Sequence, residues 1–432
     1  MAAAIVEQAF SDSDINALLF FSILVFAQQV GFASLEVGNV RAKNARNILL
    51  KNLIDKLACG VCYWAVGFAF AYGSGAKTGG FIGHSDFFLS TFTRETATLW
   101  FFSWVFLLTA TTIVSGCIAE RAQFEAYLAY TPLMSVLVYP LVVHWTWEGW
   151  LTTFAPHCRY LDFAGGSTVH LLGGTAGFVA AWLIGPRIGR FDGDDVKPIV
   201  GHNVESMTVG TLFLWFGWYG FNISPAYLRG DFRTTVAARA AVNTTLAGCA
   251  GSLTSILVVW WQTSQWDLRI CCNGVLAGMV SITGLCPHVE PWAAFTMGTI
   301  AGFVYLALSK LLTRLGVDDP LDASAVHAGC SLVGLIGLGV FAKPEFVQQH
   351  RTGDPRICGG FLYTSRGGEQ LGVQILGVLV IMAFTGASSF VLFYTLKHFG
   401  RLRVDQATEI AGIDNIDHGG PAYPDFVILS HE

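Results

Sequence analysis

Charged side chains are scarce in this chain. Asp, Glu, Lys and Arg together make up 13% of its 432 residues, where soluble domains carry roughly a quarter. So little charge cannot cover a water-facing surface, and a mean hydropathy of +0.53 makes a bilayer the natural solvent. The net charge of −5 lacks the basic excess of a nucleic-acid binder. Basic residues are missing from Met1–Asp14, which carries Glu7, Asp12 and Asp14 instead. No standard cleavable signal peptide is expected, and the first apolar run serves as its own insertion signal. Paired metal-binding cysteines are missing as well. Cys59 and Cys62 spell C-x-x-C within an apolar run, without a second pair, and Cys117, Cys249 and Cys330 lie where a thiol behaves as a small hydrophobe. Cys158 and Cys358 fall in predicted outer loops, where a disulfide between them is open. No P-loop, zinc-protease motif, nucleophile elbow or dinucleotide fingerprint stands in a fitting context. Neither an enzyme nor a cofactor is expected. Asn222-Ile-Ser224 and Asn243-Thr-Thr245 match the glycosylation pattern but fall inside apolar runs.

What the chain does have is long apolar stretches. A spanning helix needs roughly 20 mostly apolar residues. Candidate runs lie near 15–38, 48–73, 98–119, 125–147, 166–186, 205–225, 235–261, 268–286, 292–314, 323–342 and 371–397. The 48 Gly spread through them suit close helix packing, and the 13 Trp suit the headgroup level. The expected fold is an all-α membrane protein with eleven transmembrane helices. An odd number of spans puts the termini on opposite sides. With Arg41, Lys43, Arg46, Lys51 and Lys56 taken as cytoplasmic, the larger share of the 25 Lys and Arg falls on that side. The N-terminus is thus expected outside and the C-terminus in the cytoplasm.

A short internal repeat is the most informative pattern. Asp162-Phe-Ala-Gly-Gly-Ser-Thr-Val-His170 opens the fifth run and Asp319-Pro-Leu-Asp-Ala-Ser-Ala-Val-His327 the tenth. Each places Asp eight residues before His, Val just before it, and Gly seven after (Gly177 and Gly334). Five helices separate the copies, so the second is inverted, and inverted repeats put a solute path at their interface. The division expected is repeat one over about 15–186, repeat two over about 205–342, and a final long helix over about 371–397. Together these make a membrane domain, 1–399, followed by a tail, 400–432. Histidines at membrane depth usually face a pathway or a partner. Two unrelated structural histidines are the plainer reading of His170 and His327. A zinc pair lacks a recurring third ligand. A matched pair lining a narrow pore is the sharper reading. Asp162 could cap the fifth helix or favour a cation at the outer mouth, with Asp319 and Asp322 its inner counterparts. Trp147, Phe102, Phe106, Trp218 and Phe221 gather near the same runs. Each alone suits lipid or core, but together they suggest a cation–π site above an apolar constriction.

The residues carrying these patterns also carry a family resemblance. The stretches Gly31-Phe-Ala…Gly38-Asn-Val-Arg-Ala-Lys-Asn44, Ser115-Gly…Ala119-Glu-Arg121, Asp162–His170, Gly185-Pro-Arg-Ile-Gly-Arg-Phe-Asp192 and Trp215-Phe-Gly-Trp-Tyr-Gly-Phe-Asn222 resemble the ammonium transporter (Amt/Mep/Rh) family, its plant-like Amt branch above all. The resemblance runs from about Phe21 to Tyr423. It implies a plasma-membrane homotrimer with one path for ammonium, or its analogue methylammonium, per subunit. By position it makes Trp147, Phe106 and a serine the outer ammonium site, with Phe102 and Trp218 flanking it and Asp162 the buried acid below. Phe106 and Phe221 become a stacked gate, His170 and His327 the pore histidines, and Thr283 a lower-pore residue. In the tail, Glu409…Gly412-Ile-Asp414…His418-Gly419 matches a regulatory segment that docks on the neighbouring subunit. Two departures stand out. Pro225 occupies the place of the site serine, with Ser224 one position early, and Ile416 replaces a phosphorylatable Thr, so that switch is expected to be absent. The runner-up readings are an ammonium sensor with little transport and a membrane metalloenzyme. A Rh-type gas channel is a variant that the Trp147 site and the tail argue against.

Overall fold

The computed structural model describes residues 10–74, 80–193 and 195–423. Its framework is a set of helices, labelled in chain order. These are α1 (Asp12–Asn39), α2 (Ala42–Tyr72), α3 (Arg94–Ile118), α4 (Phe124–Thr152), α5 (Gly166–Ile184) and α6 (Val204–Ile223), then α7 (Arg233–Thr263), α8 (Leu268–Thr283), α9 (Pro291–Arg314), α10 (Ala325–Phe341) and α11 (Gly367–His398). Among the described residues, eight are long and apolar enough to cross a membrane. A ninth arises if α10 and the short helix Pro344–His350, bent from it by 110°, make one broken span. Two expected runs fall short of that standard. The α6 run carries Trp, Tyr and Gly that lower its hydropathy, and α8 has only 16 residues.

Helix ends follow the local chemistry. Ser11 caps α1, accepting from Asp14 N while Asp14 returns the bond to Ser11 N. Asn203 and Asp267 cap α6 and α8 one way only, accepting from Ser206 N and Ile270 N. Inside α4, Pro132 removes a backbone donor and a π-helical turn follows at Met134–Val138. Small residues let the rods approach. A Cβ on Gly31 of α1 would lie 2.8 Å from Gly210 O of α6, and one on Gly174 of α5 would lie 2.3 Å from Ala328 N of α10. First and sixth helices therefore pair closely, as do fifth and tenth.

The two stretches opening α5 and α10 share a backbone course. Gly165 has φ +91 and Asp322, at the same step before its histidine, has φ +58. His170 and His327 each lie in a π-helical turn, Gly166–Leu171 and Ala325–Gly329. The α5–α6 connection adds a two-stranded hairpin, Phe191–Asp192 with Asp195–Val196. Asn222 and Asn243 are fully buried, bonded to Thr244 Oγ1 and to Cys286 and Val289 carbonyls, so neither sequon is accessible to glycosylation.

A disulfide joins Cys158 to Cys358 across a sequence separation of 200, tying the α4–α5 connection to the α10–α11 connection. Cross-links of this kind stabilise by about 2–4 kcal/mol. Cys158→Ser should lower the thermal unfolding midpoint of the detergent-purified protein, and reductant should lower the wild type alike. Equal midpoints with and without reductant would show the bridge to be energetically idle.

Candidate functional site

The centre of the molecule is built outward from Asp162, which is 2% exposed. Its Oδ1 accepts from Gly165 N (3.0 Å) and Gly166 N (2.7 Å). Its Oδ2 accepts from Ser167 N (2.8 Å), Thr168 N (3.1 Å) and Ser167 Oγ (2.6 Å). A carboxylate thus takes up the unpaired N–H groups at the start of α5. Gly165 makes the turn possible, since its φ of +91 is a conformation that side chains rarely adopt. The Asp162 carbonyl accepts from Trp147 Nε1 at 3.0 Å. One residue therefore orients both the Trp147 indole and the histidine helix. Asp319 acts similarly but more weakly, its Oδ2 accepting from Ser324 N at 2.7 Å.

An aromatic column runs inward from Trp147. Phe102 and Phe106 lie 6.1 and 6.2 Å from it, ring centroid to centroid, and 4.4 Å from each other. Phe106 stacks on Phe221 at 4.0 Å and 17°. Phe221 in turn is 5.4 Å from His170. The two imidazoles stack at 5.2 Å and 15°, with Nδ1 to Nδ1 at 3.1 Å. One of those nitrogens must carry the proton and the other accept it. Phe106, Phe221 and His170 are fully buried and His327 is 4% exposed. Among the described residues, no group of three or more His, Cys, Asp or Glu could hold a metal ion.

Trp218 lies flat on His170, at 5.1 Å and 10°, and its ring centroid is 6.0 Å from that of Phe221. Its Nε1 donates to Thr283 Oγ1 at 3.0 Å. Thr283 itself sits at the C-terminal end of α8, one residue before Gly284, whose carbonyl accepts from Phe163 N at 3.0 Å. It therefore lies level with the Asp162 turn and orients Trp218, while Leu276 and Asn273, about two and three turns earlier on α8, line the cavity beside His327.

Ser224 is fully buried and its hydroxyl has no partner among the described residues. Pro225 begins the next turn and lines a cavity of about 20 Å³ with Tyr72, Trp147, Asp162, Arg229 and Arg351. The arginines were not anticipated. Arg229 is ion-paired with Glu148, which directly follows Trp147. An acid within an apolar run is a signal of a buried partner.

On the opposite side, the tail seats on the first turns of α2 of its own chain. Asp414 Oδ2 accepts from Arg46 N at 2.8 Å and Oδ1 from Asn47 N at 2.7 Å. His418 Nε2 lies 2.7 Å from Asn47 Nδ2, and its carbonyl accepts from Arg46 at 2.7 Å. Gly412 and Gly419 take φ of +97 and +74. Ile416 points outward, 59% exposed.

Comparison with known proteins agrees with this picture. The sequence profile of the Ammonium Transporter Family matches residues 16–423. The chain is 42% identical to ammonium transporter 1 member 3 of Solanum lycopersicum, over 96% of this chain and 94% of that one. It is 40% identical to ammonium transporter 3 of Dictyostelium discoideum (95% and 94% covered) and 38% identical to ammonium transporter Amt2 of Archaeoglobus fulgidus (96% and 89%). Among solved structures it is similar to a sensor Amt protein (TM-score 0.84, 30% identity, 94% and 98% covered) and to Saccharomyces cerevisiae Mep2 (0.82, 25%, 93% and 89%). By sequence and by fold alike, the chain belongs to the ammonium transporter family.

Proposed function

We propose that this chain carries ammonium across the plasma membrane along the column from Trp147 to His327. The reading adds to the family assignment eleven spans, an inverted five-plus-five repeat, an outer N-terminus, a cytoplasmic C-terminus and a homotrimer. The paired courses of Gly165–His170 and Asp322–His327 support the repeat. Ammonium loses hydration on entering an apolar conduit, and bare entry is expensive. The π faces of Trp147, Phe102 and Phe106 replace part of that shell, and the free Ser224 hydroxyl supplies an acceptor that potassium, which donates no hydrogen bond, cannot use. The stacked Phe106 and Phe221 close the way to a hydrated ion. Ammonium gives up a proton at or below this gate, and ammonia then passes the two imidazoles. The single observation that carries the reading is the direct imidazole pair, Nδ1 to Nδ1 at 3.1 Å, at the foot of an unbroken aromatic stack.

The test is flux through proteoliposomes of purified protein. Ammonium and methylammonium should evoke saturable transport and potassium none. Retained ammonium binding with no flux of either solute would sink the transport reading in favour of a sensor. His170→Ala should alter flux or ammonium-over-potassium selectivity by about tenfold, the size of one lost hydrogen-bonded contact to a solute, with the unfolding midpoint held near wild type. Unchanged flux and selectivity would remove the imidazole pair from the path.

A further inference from the structure

Two carboxylates and one ammonium group are buried side by side near the inner end of the column. Lys51 Nζ lies 3.2 Å from Glu36 Oε2 and 3.4 Å from Asp55 Oδ2, and all three side chains are at most 2% exposed. Glu36 Oε2 also accepts from Asn52 Nδ2 (2.8 Å) and Oε1 from Ser115 Oγ (2.8 Å), and that hydroxyl touches Lys51 Nζ. Asp55 takes its remaining bonds from the hydroxyls of Thr131 and Tyr130. Lys56 turns its ammonium to Asn52 Oδ1 rather than to either acid. Among the described residues, Lys51 is therefore the cation in ion-pair contact with both acids, with Lys56 a second positive charge nearby. A buried charge without a counter-charge is strongly destabilising, and acids that share one cation titrate as a coupled set.

A second observation gives this trio an outlet. A cavity of about 20 Å³ lies against His327, enough for one water. Glu36 lines it together with Phe32, Thr112, Asn273 and Leu321, and is the one acid among the described residues on its wall. A structural ion pair would have no need of a wall on the conduit; a proton acceptor would.

We propose that Glu36, poised by Lys51 and Asp55, is the inner proton acceptor of the transport path, receiving the proton that leaves His327 and returning it to ammonia. The proposal rests on the transport reading above. The proton is the one ammonium gives up at or below the Phe106–Phe221 gate. The His170 ring accepts it and passes its own proton across the Nδ1–Nδ1 bond to His327, whose far ring nitrogen then releases a proton to a water in the cavity, and that water delivers a proton to the Glu36 carboxylate. Ammonia reaching the cavity then takes the O–H proton on its lone pair, leaving ammonium and a carboxylate. Atoms and charge balance: one ammonium enters, one leaves, and one charge crosses with it.

The experiment measures current and labelled methylammonium uptake on the same proteoliposomes, giving charge moved per solute. Wild type should move about one charge each. Glu36→Gln should lower that ratio at least about tenfold, the scale of a lost acid–base group, with uptake reduced far less, and Glu36→Asp should restore it. Because Glu36→Gln strands Lys51, the paired variant Glu36→Gln with Lys51→Gln removes both charges and guards against simple unfolding. A wild-type ratio in either variant would overturn the proposal. So would current and uptake falling in parallel in both, since that marks a structural role. Uptake without current in the wild type would overturn it while leaving transport intact. Neither current nor uptake in the wild type would overturn the transport reading itself.

Discussion

Asp162→Ala should abolish ammonium flux and leave little folded protein. The carboxylate satisfies four backbone N–H groups and a hydroxyl at the start of α5, and alanine leaves all of them buried without partners. Each such donor costs about 1–3 kcal/mol, so about 4 kcal/mol or more is lost from a total stability of order 5–15 kcal/mol. The same turn sets the Trp147 indole through the Asp162 carbonyl and aims His170 at His327. Asp162→Asn separates the two roles. It keeps the shape and one acceptor, but its amide group must face donors on one side. A folded protein with flux reduced at least about tenfold is expected, since misaimed site groups of this kind cost that much or more. Detergent-extracted yield, unfolding midpoint and methylammonium uptake check both variants. Wild-type values of all three in Asp162→Ala would contradict the account of the site.

Gly412→Val should release the tail. Gly412 has φ +97, and a Cβ there would lie 2.6 Å from Lys43 Cβ and 2.8 Å from Lys43 O. Backbone strain alone costs about 1–3 kcal/mol, and the overlap adds to it. The seat is held by polar contacts alongside that overlap, among them Ile413 N to Asn44 Oδ1 at 3.0 Å, Lys43 Nζ to the Glu409 carbonyl at 2.9 Å, and the Asp414 and His418 bonds to Arg46 and Asn47. Such a seat cannot absorb both. Limited proteolysis should then cut within residues 400–423 at least about tenfold faster, in line with a lost docking free energy of more than 1.4 kcal/mol. Flux should fall with it if docking holds the path open. The seat reaches the conduit by a short physical route. Asn47, one turn before Lys51 on α2, bonds the tail, and Lys51 bonds Glu36 on the wall of the cavity under His327. Protected tails with normal flux in Gly412→Val would show that the backbone tolerates the change; exposed tails with normal flux would show that docking does not control the path.

Much of the frame was legible in the chain. Runs of roughly 20 mostly apolar residues declared the helices, because in hydrocarbon the backbone must satisfy itself within each segment. The expected bounds and those observed differ by only a few residues, for example 205–225 against Val204–Ile223 and 371–397 against Gly367–His398. The Asp-to-His spacing repeated at 162–170 and 319–327 announced a matched pair. The bond between Trp218 and Thr283 was not legible, because helix periodicity gives a residue's phase on its own helix but not which neighbour that phase will meet. Trp218 meets Thr283 from 65 positions away. The Cys158–Cys358 bridge was open for the same reason, as spacing alone does not fix a pairing.

The amino-acid sequence by itself determined the solvent, the helices, the family and the identity of the two histidines, since hydropathy and local spacing are properties of neighbours in the chain. The tertiary structure decided which side of each helix matters. It set His170 against His327 across 157 positions, laid Phe106 on Phe221, and turned Glu36 toward the cavity that His327 closes. Those facts depend on how helices distant in sequence pack together, and close packing through small residues fixes such contacts to within an ångström.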